Sequence, residues 1–219
     1  MKAMILAAGR GSRMRPLTAR IPKALVEINN TPLIAYHLMR IRDAGIVEVV
    51  INLGHLGEMI REALKDGSDY GVNISYSDES SHILGTGGGI VKALPLLGDT
   101  PFFVVNADVY TDYAIRPLAI QAPCQAHLVM VDNPEHNRAG DFGFSDGFVA
   151  DCSQMKLTFA GLGYYTTDLF ARLPQRQLSL VEILRPAVAA GLVSGEHYQG
   201  EWIDVGTIER LNVAQATGL

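Results

Sequence analysis

A glycine-rich and strongly basic segment near the N-terminus has the composition of an anion-binding loop. Gly9 and Gly11 follow a short apolar strand pattern at residues 4–6, and glycine lets the backbone come close to a ligand. The segment contains no acidic residue before Glu27, but it is rich in cations. These cations are Arg10, Arg13, Arg15, Arg20 and Lys23. A positive loop at the carboxyl end of a strand is the usual ligand position in an open α/β sheet, so we predict a polyphosphate site.

Two familiar phosphate-binding motifs do not fit this segment. The dinucleotide fingerprint requires a third glycine where Arg13 stands, and a helix directly after it. Pro16 and Pro22 interrupt any such helix. A Walker A loop is excluded because the chain contains neither GxxxxGKS nor GxxxxGKT. A surface turn with scattered arginines is the alternative interpretation.

Two carboxylates far apart in the sequence are candidates for binding a divalent cation. Asp108 follows the apolar run 102–105, which places it at the carboxyl end of a strand. Asp204 follows the amphipathic run 198–203 and stands just before Gly206. Mg²⁺ takes few protein ligands and shares the rest of its coordination with phosphates and water. The pair therefore predicts an Mg²⁺ site, with a turn at Asp108 and a helix N-terminus at Asp204 as the alternatives.

A run of three glycines after Thr86 is a further candidate for ligand contacts. The apolar residues that follow it, within 90–94, predict that the glycines open a helix. Unpaired backbone N–H groups in the first turn of a helix can bind an anion or the edge of a base. An ordinary flexible turn is the alternative.

Strand and helix patterns alternate through the first half of the chain, where these candidates lie. The strand patterns cover residues 4–6, 47–52, 72–76 and 102–105. A helix is predicted with Thr31 as N-cap, Pro32 in its first turn and Gly45 just past its end. A second helix is predicted from about residue 55 to 64, stopped by Gly67. This βαβ series predicts an α/β fold with a Rossmann-like, mostly parallel central sheet flanked by helices.

The second half of the chain is less regular. Strands are predicted at residues 126–131, 159–165 and 197–203, and helices at residues 180–190 and from Thr207 onward. Short segments within 141–151 suggest a small antiparallel insertion near the site. Because no repeat or linker interrupts the sequence, we expect a single domain over residues 1–219.

Composition argues against several classes of protein. The net charge of −5 disfavours a protein that coats DNA or RNA. Cys124 and Cys152 are isolated thiols, which suit a reducing compartment. No segment approaches the roughly 18 apolar residues of a membrane helix, and the opening apolar run is too short for a signal peptide. We therefore expect a cytoplasmic protein with neither a nucleic-acid nor a membrane partner.

The basic loop resembles the N-terminal motif of sugar-1-phosphate nucleotidyltransferases. The matching residues are Leu6-Ala7-Ala8-Gly9-x-Gly11-x-Arg13-Met14-x-Pro16-Leu17-Thr18, followed by Pro22-Lys23-x-Leu25. The likeness continues at Thr86-Gly-Gly-Gly89, Asn106-Ala-Asp108 and Trp202-Ile-Asp-Val-Gly-Thr207. Three features are most similar to the bacterial branch that uses N-acetylmuramic acid 1-phosphate in peptidoglycan recycling: the short length, the Thr-Gly-Gly-Gly run and Gly140-Asp141-Phe142. The resemblance implies the nucleotide-diphospho-sugar transferase type of fold, with the antiparallel insertion on the sugar side.

The resemblance also implies roles for individual residues. Arg13 and Lys23 would be the catalytic cations, Arg13 on the β- and γ-phosphates and Lys23 between the α-phosphate and the sugar phosphate. Asp108 and Asp204 would hold Mg²⁺. The implied nucleotide contacts are Gly9, Gly11, Ser12, Arg13, Lys23, Thr86, Gly87 and Asn106, and the implied sugar contacts are Gly140 and Asp141.

The sequence departs from the family pattern in the region that would contact the sugar. Many relatives carry Glu-Lys-Pro after the middle strands, whereas this chain has Thr158-Phe-Ala-Gly161. Asp141 is equally consistent with a solvated loop carboxylate.

The implied reaction is uridylyl transfer from UTP to a sugar 1-phosphate, giving a UDP-sugar and pyrophosphate. The implied partners are these small molecules, with Mg²⁺ as cofactor, and we expect a monomer. A different substrate pair, such as mannose 1-phosphate with GTP, is the alternative within the same class. A non-catalytic nucleotide-sugar sensor is the alternative from another class.

Overall fold

A computed structural model describes residues 1–151 and 156–218 of the chain. Its strands are β1 (Lys2–Leu6), β2 (Glu27–Ile28), β3 (Thr31–Pro32), β4 (Glu48–Leu53), β5 (Asn73–Asp78), β6 (Phe102–Asn106), β7 (Val109–Thr111), β8 (Ala126–Val131), β9 (Phe142–Ser145), β10 (Phe148–Ala150), β11 (Lys156–Tyr165), β12 (Val193–His197) and β13 (Trp202–Asp204). The helices are α1 (Leu33–Asp43), α2 (Gly57–Leu64), α3 (Gly85–Leu97), α4 (Leu180–Ala189) and α5 (Ile208–Thr217). Cys152 lies outside the described residues.

Nine of the strands form one sheet in the order β5-β4-β1-β6-β11-β8-β12-β10-β9. The first four are parallel, as the βαβ pattern predicts; Ile5 lies opposite Ile51 of β4 and Val105 of β6. The carboxyl ends of these strands therefore meet at one edge, where ligands bind in α/β sheets. The predicted α/β class with a Rossmann-like sheet is confirmed.

The remaining strands make the second half of the sheet mixed. Strand β11 runs antiparallel to both β6 and β8, whereas β8 and β12 are parallel. An antiparallel neighbour requires no crossover helix, which explains why the regular strand–helix alternation stops after β6. The expected antiparallel insertion is the β9–β10 hairpin, in which Val149 pairs with Phe144.

Three local predictions needed correction. Thr31 does not cap α1; Thr31 and Pro32 pair with β2, and the N–H of Leu33 donates to the carbonyl of Val26 at 2.9 Å. Helix α2 ends at Leu64 as predicted, but it begins at Gly57, and the chain leaves the helix at Lys65, not at Gly67. The predicted strand 197–203 is two strands, since β12 continues the main sheet while β13 pairs with β7.

The helix boundaries at two other positions agree with the sequence patterns. Gly45 lies just past α1 with a φ of +76°, in the left-handed region that glycine tolerates. The Thr207 side chain caps α5 by accepting from the N–H of Arg210. Within residues 1–151 and 156–218, every helix is too short or too polar to cross a bilayer.

The hydrophobic core covers both faces of the sheet. Ile34 and Ile60, from α1 and α2, pack on one face, and Ile90 and Leu184, from α3 and α4, pack on the other. A smaller apolar cluster joins the basic loop to the rest of the protein. Its buried members are Met14, Val26, Ile28, Leu33, Tyr110, Val205, Leu211 and Ala214. This cluster fixes the loop and α5 relative to β7, so it positions the candidate site.

Candidate active site

The carboxyl ends of the parallel strands border a cavity of about 200 Å³. Its lining comprises Leu6, Ala7, Ala8, Gly9, Lys23, Ala24, Asn52, Glu79, Ile83, Gly85, Thr86, Asn106, Ala107 and Asp108. Five predicted site residues therefore lie together here: Gly9, Lys23, Thr86, Asn106 and Asp108. Gly11 and Ser12 form the adjoining turn and are not part of this lining.

The turn of the basic loop is shaped by one glycine and one threonine. Gly11 has a φ of +59°, and a Cβ atom there would lie 2.9 Å from Cγ2 of Thr18. The hydroxyl of Thr18, a fully buried residue, donates to the carbonyl of Gly11 at 2.7 Å. The loop is therefore folded back on itself, and its next residues enter a 3₁₀ turn, Ser12–Met14. Buried Met14 anchors this turn, while Arg13 stays exposed.

Lys23 and Asp108 form an ion pair at the edge of the cavity. The Lys23 ammonium donates to Oδ2 of Asp108, with exposed side-chain fractions of 13% and 28%. Pro22 has an extended backbone, and the buried residues Ala24 and Leu25 hold the lysine backbone in place. A compact cation beside a carboxylate can bind a phosphate, a divalent cation, or both.

Strand β13 brings Asp204 beside the Asp108 segment. Asp204 pairs with Val109 of β7, and the N–H of Val205 donates to the carbonyl of Asp108 at 2.9 Å. Asp204 ends a strand and the N-cap of the next helix is Thr207, so Asp204 is not a helix N-terminal residue. The two predicted metal ligands therefore come from neighbouring backbone segments.

A second cavity, of about 480 Å³, lies on the Asp204 side. Its lining comprises Arg13, Pro134, Glu135, His136, Trp202, Ile203, Asp204, Thr207 and Arg210. Arg210 donates to Oδ2 of Asp204 at 3.0 Å and contacts Nε2 of His136 at 2.8 Å. Burial and the neighbouring Arg210 guanidinium hold the pKa of His136 below its usual range. A neutral imidazole can accept the arginine's hydrogen bond through Nε2.

The residues present fit a hard divalent cation. Oδ1 of Asp204 is buried and has no hydrogen-bond partner among the described residues. Buried polar atoms normally have a partner, so this oxygen is available to a cation. Within residues 1–151 and 156–218, no group of three or more His, Cys, Asp or Glu side chains could hold a metal by itself. Two carboxylates and no further protein ligand is the pattern in which Mg²⁺ shares its coordination with phosphates and water.

The glycine run after Thr86 has a different role from the predicted one. The N–H groups of Gly87 and Gly88 donate to the carbonyl of Leu178, at 3.0 and 3.1 Å, so they are not the unpaired donors we expected. A Cβ atom on Gly88 would clash with the carbonyl of Arg176, because the 176–180 segment packs directly over the glycines. The run permits close packing of two segments, while Thr86 still lines the cavity.

Gly140 and Asp141 form a loop junction outside the lining of both cavities. Asp141 accepts from the N–H of Phe159 at 2.9 Å and from the side chain of Asn137 at 3.1 Å. Gly140 has a φ of +65°, which a turn at this point requires. Oδ2 of Asp141 thus holds the loop against β11, while Oδ1 ties it to the turn that contains Asn137.

Two buried polar residues of the first cavity were missed by the sequence patterns. Glu79, which is fully buried, accepts from the side chain of Asn52 at 2.7 Å and from the N–H of Leu84 at 3.0 Å. Asn52 in turn accepts from the N–H of Ala7 at 2.7 Å. The available signal was position, since Asn52 stands near the carboxyl end of β4 and Glu79 directly follows β5. His136 and Arg210 were missed for another reason, since only tertiary packing brings them to Asp204.

Comparison with known proteins assigns the family. The model of a family described as nucleotidyl transferase matches residues 2–146. The N-acetylmuramate alpha-1-phosphate uridylyltransferase of Neisseria meningitidis serogroup B is 47% identical, over 99% of this chain and 97% of its own. A mannose-1-phosphate guanyltransferase of Aspergillus fumigatus is 31% identical, over 94% of this chain and 61% of its own.

A solved structure shares the fold at low sequence identity. It is from Bacillus anthracis and is assigned as a glucose-1-phosphate thymidylyltransferase, and it matches with a TM-score of 0.87 at 21% identity. The match covers 99% of this chain and 94% of the other. Since the family model covers more than half of the chain and the Neisseria protein is similar over nearly all of it, this chain belongs to the nucleotidyl transferase family.

Proposed function

We propose that the protein transfers a uridylyl group from UTP to N-acetylmuramic acid α-1-phosphate, giving the UDP-sugar and pyrophosphate. The observation that carries the proposal is the Lys23–Asp108 ion pair at a strand-end cavity, with Asp204 on the neighbouring backbone segment. The 47% identity to the Neisseria uridylyltransferase supports this choice of nucleotide and sugar.

The proposed reaction is an in-line displacement at the α-phosphorus. An oxygen of the sugar phosphate forms the new P–O bond, and the bond from the α-phosphorus to the bridging oxygen of the β-phosphate breaks. Pyrophosphate leaves with the electron pair of that bond. The nucleophile is already an anion, so no general base is required, and catalysis depends on orientation and charge neutralisation.

Two cations act on different parts of the reacting groups. Lys23, at the edge of the first cavity, contacts the α-phosphate and the incoming sugar phosphate as a compact charge. Arg13, which lines the second cavity, holds the β- and γ-phosphates that leave together. The adjoining Gly11 and Ser12 offer backbone contacts to the same phosphates.

Asp108 and Asp204 are the proposed Mg²⁺ ligands. The assignment is supported by Oδ1 of Asp204, which is buried and has no hydrogen-bond partner in residues 1–151 and 156–218. When bound, Mg²⁺ supplies neutralisation of the negative charge that accumulates on the phosphates. Asp108 has a second role, because it holds Lys23 in place until a phosphate enters.

The nucleoside occupies the first cavity in this proposal. Leu6, Ala7 and Ala8 provide an apolar wall, Thr86 and Asn106 provide polar contacts, and the Asn52–Glu79 pair closes the base end. Asp141 acts as a positioning residue for the sugar-side loop, since both of its oxygens bind protein donors. Peptidoglycan recycling, a cytoplasmic location and a monomeric state stay predictions.

The alternative substrate pair is mannose 1-phosphate with GTP, supported by the Aspergillus relative at the lower identity of 31%. The alternative from another class is a sensor that binds nucleotide-sugars without reacting. A sensor has no need for Lys23, Arg13 and both carboxylates together, so this full set of charges favours an enzyme.

A panel of substrate pairs tests the proposal directly. Pyrophosphate release is measured with Mg²⁺ for N-acetylmuramic acid 1-phosphate with UTP, mannose 1-phosphate with GTP, and glucose 1-phosphate with UTP or dTTP. We expect the highest kcat/KM for the first pair and loss of the signal in Lys23→Ala. A higher kcat/KM for the mannose and GTP pair would replace the proposed substrates. Tight UTP binding without pyrophosphate release from any pair would favour the sensor.

A further inference from the structure

We propose that Arg210 is a positioning residue for Asp204, which holds one carboxylate oxygen so that the other is presented to the divalent cation. This inference rests on the proposed function, because it takes Asp204 as a metal ligand. It adds a role for a residue of helix α5, which lies outside all the motifs that predicted the site.

The two oxygens of Asp204 have different environments. Oδ2 accepts from Nη1 of Arg210 at 3.0 Å and lies 3.5 Å from Nε2 of His136. Oδ1 is buried and has no hydrogen-bond partner among the residues that the structure describes. A buried carboxylate oxygen without a donor costs free energy, unless a ligand supplies the missing interaction. The arrangement therefore points to Oδ1 as the atom that meets the cation.

Arg210 is itself held in a defined position. Its side chain is 17% exposed, and its Nη1 atom contacts Nε2 of His136 at 2.8 Å as well as Asp204. The backbone of Arg210 is fixed by the Thr207 cap at the start of α5. The guanidinium is thus anchored by α5 and by the 134–138 segment, and it can restrict the orientation of the Asp204 carboxylate.

The position of Gly206 gives a second, independent indication of close packing. A Cβ atom on Gly206 would clash with Nη2 of Arg210 and would lie 2.9 Å from both Nη2 of Arg13 and Oδ1 of Asp204. Two guanidinium groups and the carboxylate therefore meet around one α-carbon that has no side chain. Arg210 lies close enough to Arg13 that a direct contact of Arg210 with the nucleotide is the main competing role.

Metal-dependent and metal-independent binding of UTP separate these roles. The dissociation constant of UTP is measured by calorimetry with Mn²⁺ and again with EDTA, for wild type, Arg210→Met and Arg210→Lys. The dissociation constant with EDTA is divided by the dissociation constant with Mn²⁺. This ratio reports how strongly the cation and UTP support each other on the protein. Outer contacts of metal ligands typically change metal affinity about 10- to 100-fold, so we expect the ratio to fall by about that factor in Arg210→Met.

Three controls make the result specific. Arg210→Lys keeps a cation near Oδ2 and is expected to recover part of the ratio. Arg116→Met removes an exposed arginine that pairs with Glu196 at 3.3 Å, and it is expected to leave the ratio unchanged. Asp204→Asn is expected to lower the ratio at least as much as Arg210→Met. Thermal unfolding of each variant shows that the folded protein is being compared.

Each contrary result has a distinct meaning. An equal loss of UTP affinity with Mn²⁺ and with EDTA would show that Arg210 contacts the nucleotide, and would overturn the positioning role. A higher ratio in Arg210→Met would show that Arg210 only offsets the charge of Asp204, which also overturns it. An unchanged ratio in Arg210→Met, with a lower one in Asp204→Asn, would reject Arg210 but leave the proposed function intact. An unchanged ratio in Asp204→Asn would reject the metal assignment and this inference together.

Should Arg210→Met fail to fold, His136→Leu provides the second variant. It removes the imidazole that Arg210 contacts at 2.8 Å but leaves the guanidinium in place. We expect the ratio to fall in His136→Leu, but by less than in Asp204→Asn, and an unchanged ratio would count against the positioning role.

Discussion

The ammonium group of Lys23 donates a hydrogen bond to Oδ2 of Asp108, which lies 85 positions further along the chain. Each side chain thus neutralises the charge of the other. In the proposed mechanism, a phosphate would compete with Asp108 for the lysine, and a divalent cation would compete with Lys23 for the carboxylate. The pair would then link the binding of the two kinds of ligand.

Replacement of Lys23 by alanine tests the catalytic role of this cation. Lys23→Ala removes a preorganised charge beside the phosphates, so we expect kcat to fall by about 10²- to 10³-fold. The measurement is steady-state pyrophosphate release at saturating substrates. Lys65→Ala, which removes an exposed lysine paired with Asp69, is the control and should keep wild-type turnover. Wild-type turnover in folded Lys23→Ala would refute the assignment.

The hydroxyl of Thr18 stabilises the fold of the basic loop. Thr18→Val keeps the shape of the side chain but removes the 2.7 Å bond to Gly11, so the free energy of unfolding should fall by about 0.5–1.5 kcal/mol. The KM for UTP should rise, because the loop loses its fixed turn. Urea unfolding and steady-state kinetics measure the two effects.

Thr217→Val is a matched control for that change. The Thr217 hydroxyl also donates to a carbonyl, that of Val213 at 2.9 Å, but on the exposed face of α5. Its loss should change the free energy of unfolding by less than about 0.5 kcal/mol. Equal effects of the two substitutions would argue against a special role of the buried Thr18 bond.

A substitution at Gly9 is expected to weaken UTP binding without changing the stability of the fold. In the described part of the chain, no heavy atom beyond its neighbours lies within 4 Å of a Cβ atom on Gly9. Its backbone is not in the left-handed region, so Gly9→Ala should fold as stably as wild type. The added methyl group would enter the space proposed for UTP. We expect the Kd for UTP, measured by calorimetry, to rise about tenfold, since overpacking by a methyl group typically costs about 1–3 kcal/mol.

Gly88→Ala is the contrasting variant. A Cβ atom on Gly88 would meet the carbonyl of Arg176, so this substitution should lower the melting temperature instead. If Gly9→Ala binds UTP as wild type does, the nucleotide does not pass over Gly9.

The buried His37 makes stability depend on pH. Burial lowers the pKa of His37 to about 4, whereas an unfolded histidine titrates near about 6.5. Between these values the unfolded chain binds the proton more readily, so stability is complete above about pH 6.5 and declines as the pH falls toward 4. The slope from this group approaches about 1.4 kcal/mol per pH unit.

Urea unfolding at pH 7.5, 6 and 5 measures this dependence. His37→Gln removes the titrating group and retains an N–H donor for the backbone beneath the Asp108 turn, so its stability should vary less over this range. Parallel pH profiles for wild type and His37→Gln would show that another group causes the decline.

Contiguous motifs could be interpreted without a structure. The loop from Gly9 to Lys23 combines glycines, prolines and cations within one short segment at the end of a strand, so its basic character could be recognised from local sequence alone. The alternation of strands and helices likewise follows from local hydrophobic patterns, and the α/β class was confirmed. The same patterns did not predict that β11 lies antiparallel between β6 and β8, because strand order depends on long-range pairing.

Tertiary structure decided which side chains act together. The sequence alone determined that Asp108 and Asp204 are carboxylates near strand ends, but the β7–β13 pairing brings their backbones side by side. The tertiary structure also decided that the N–H groups of Gly87 and Gly88 donate to the carbonyl of Leu178 and that Arg210 reaches Asp204. Hydrogen bonds and packing between distant segments form only once the sheet is assembled, so their partners are not encoded in local spacing.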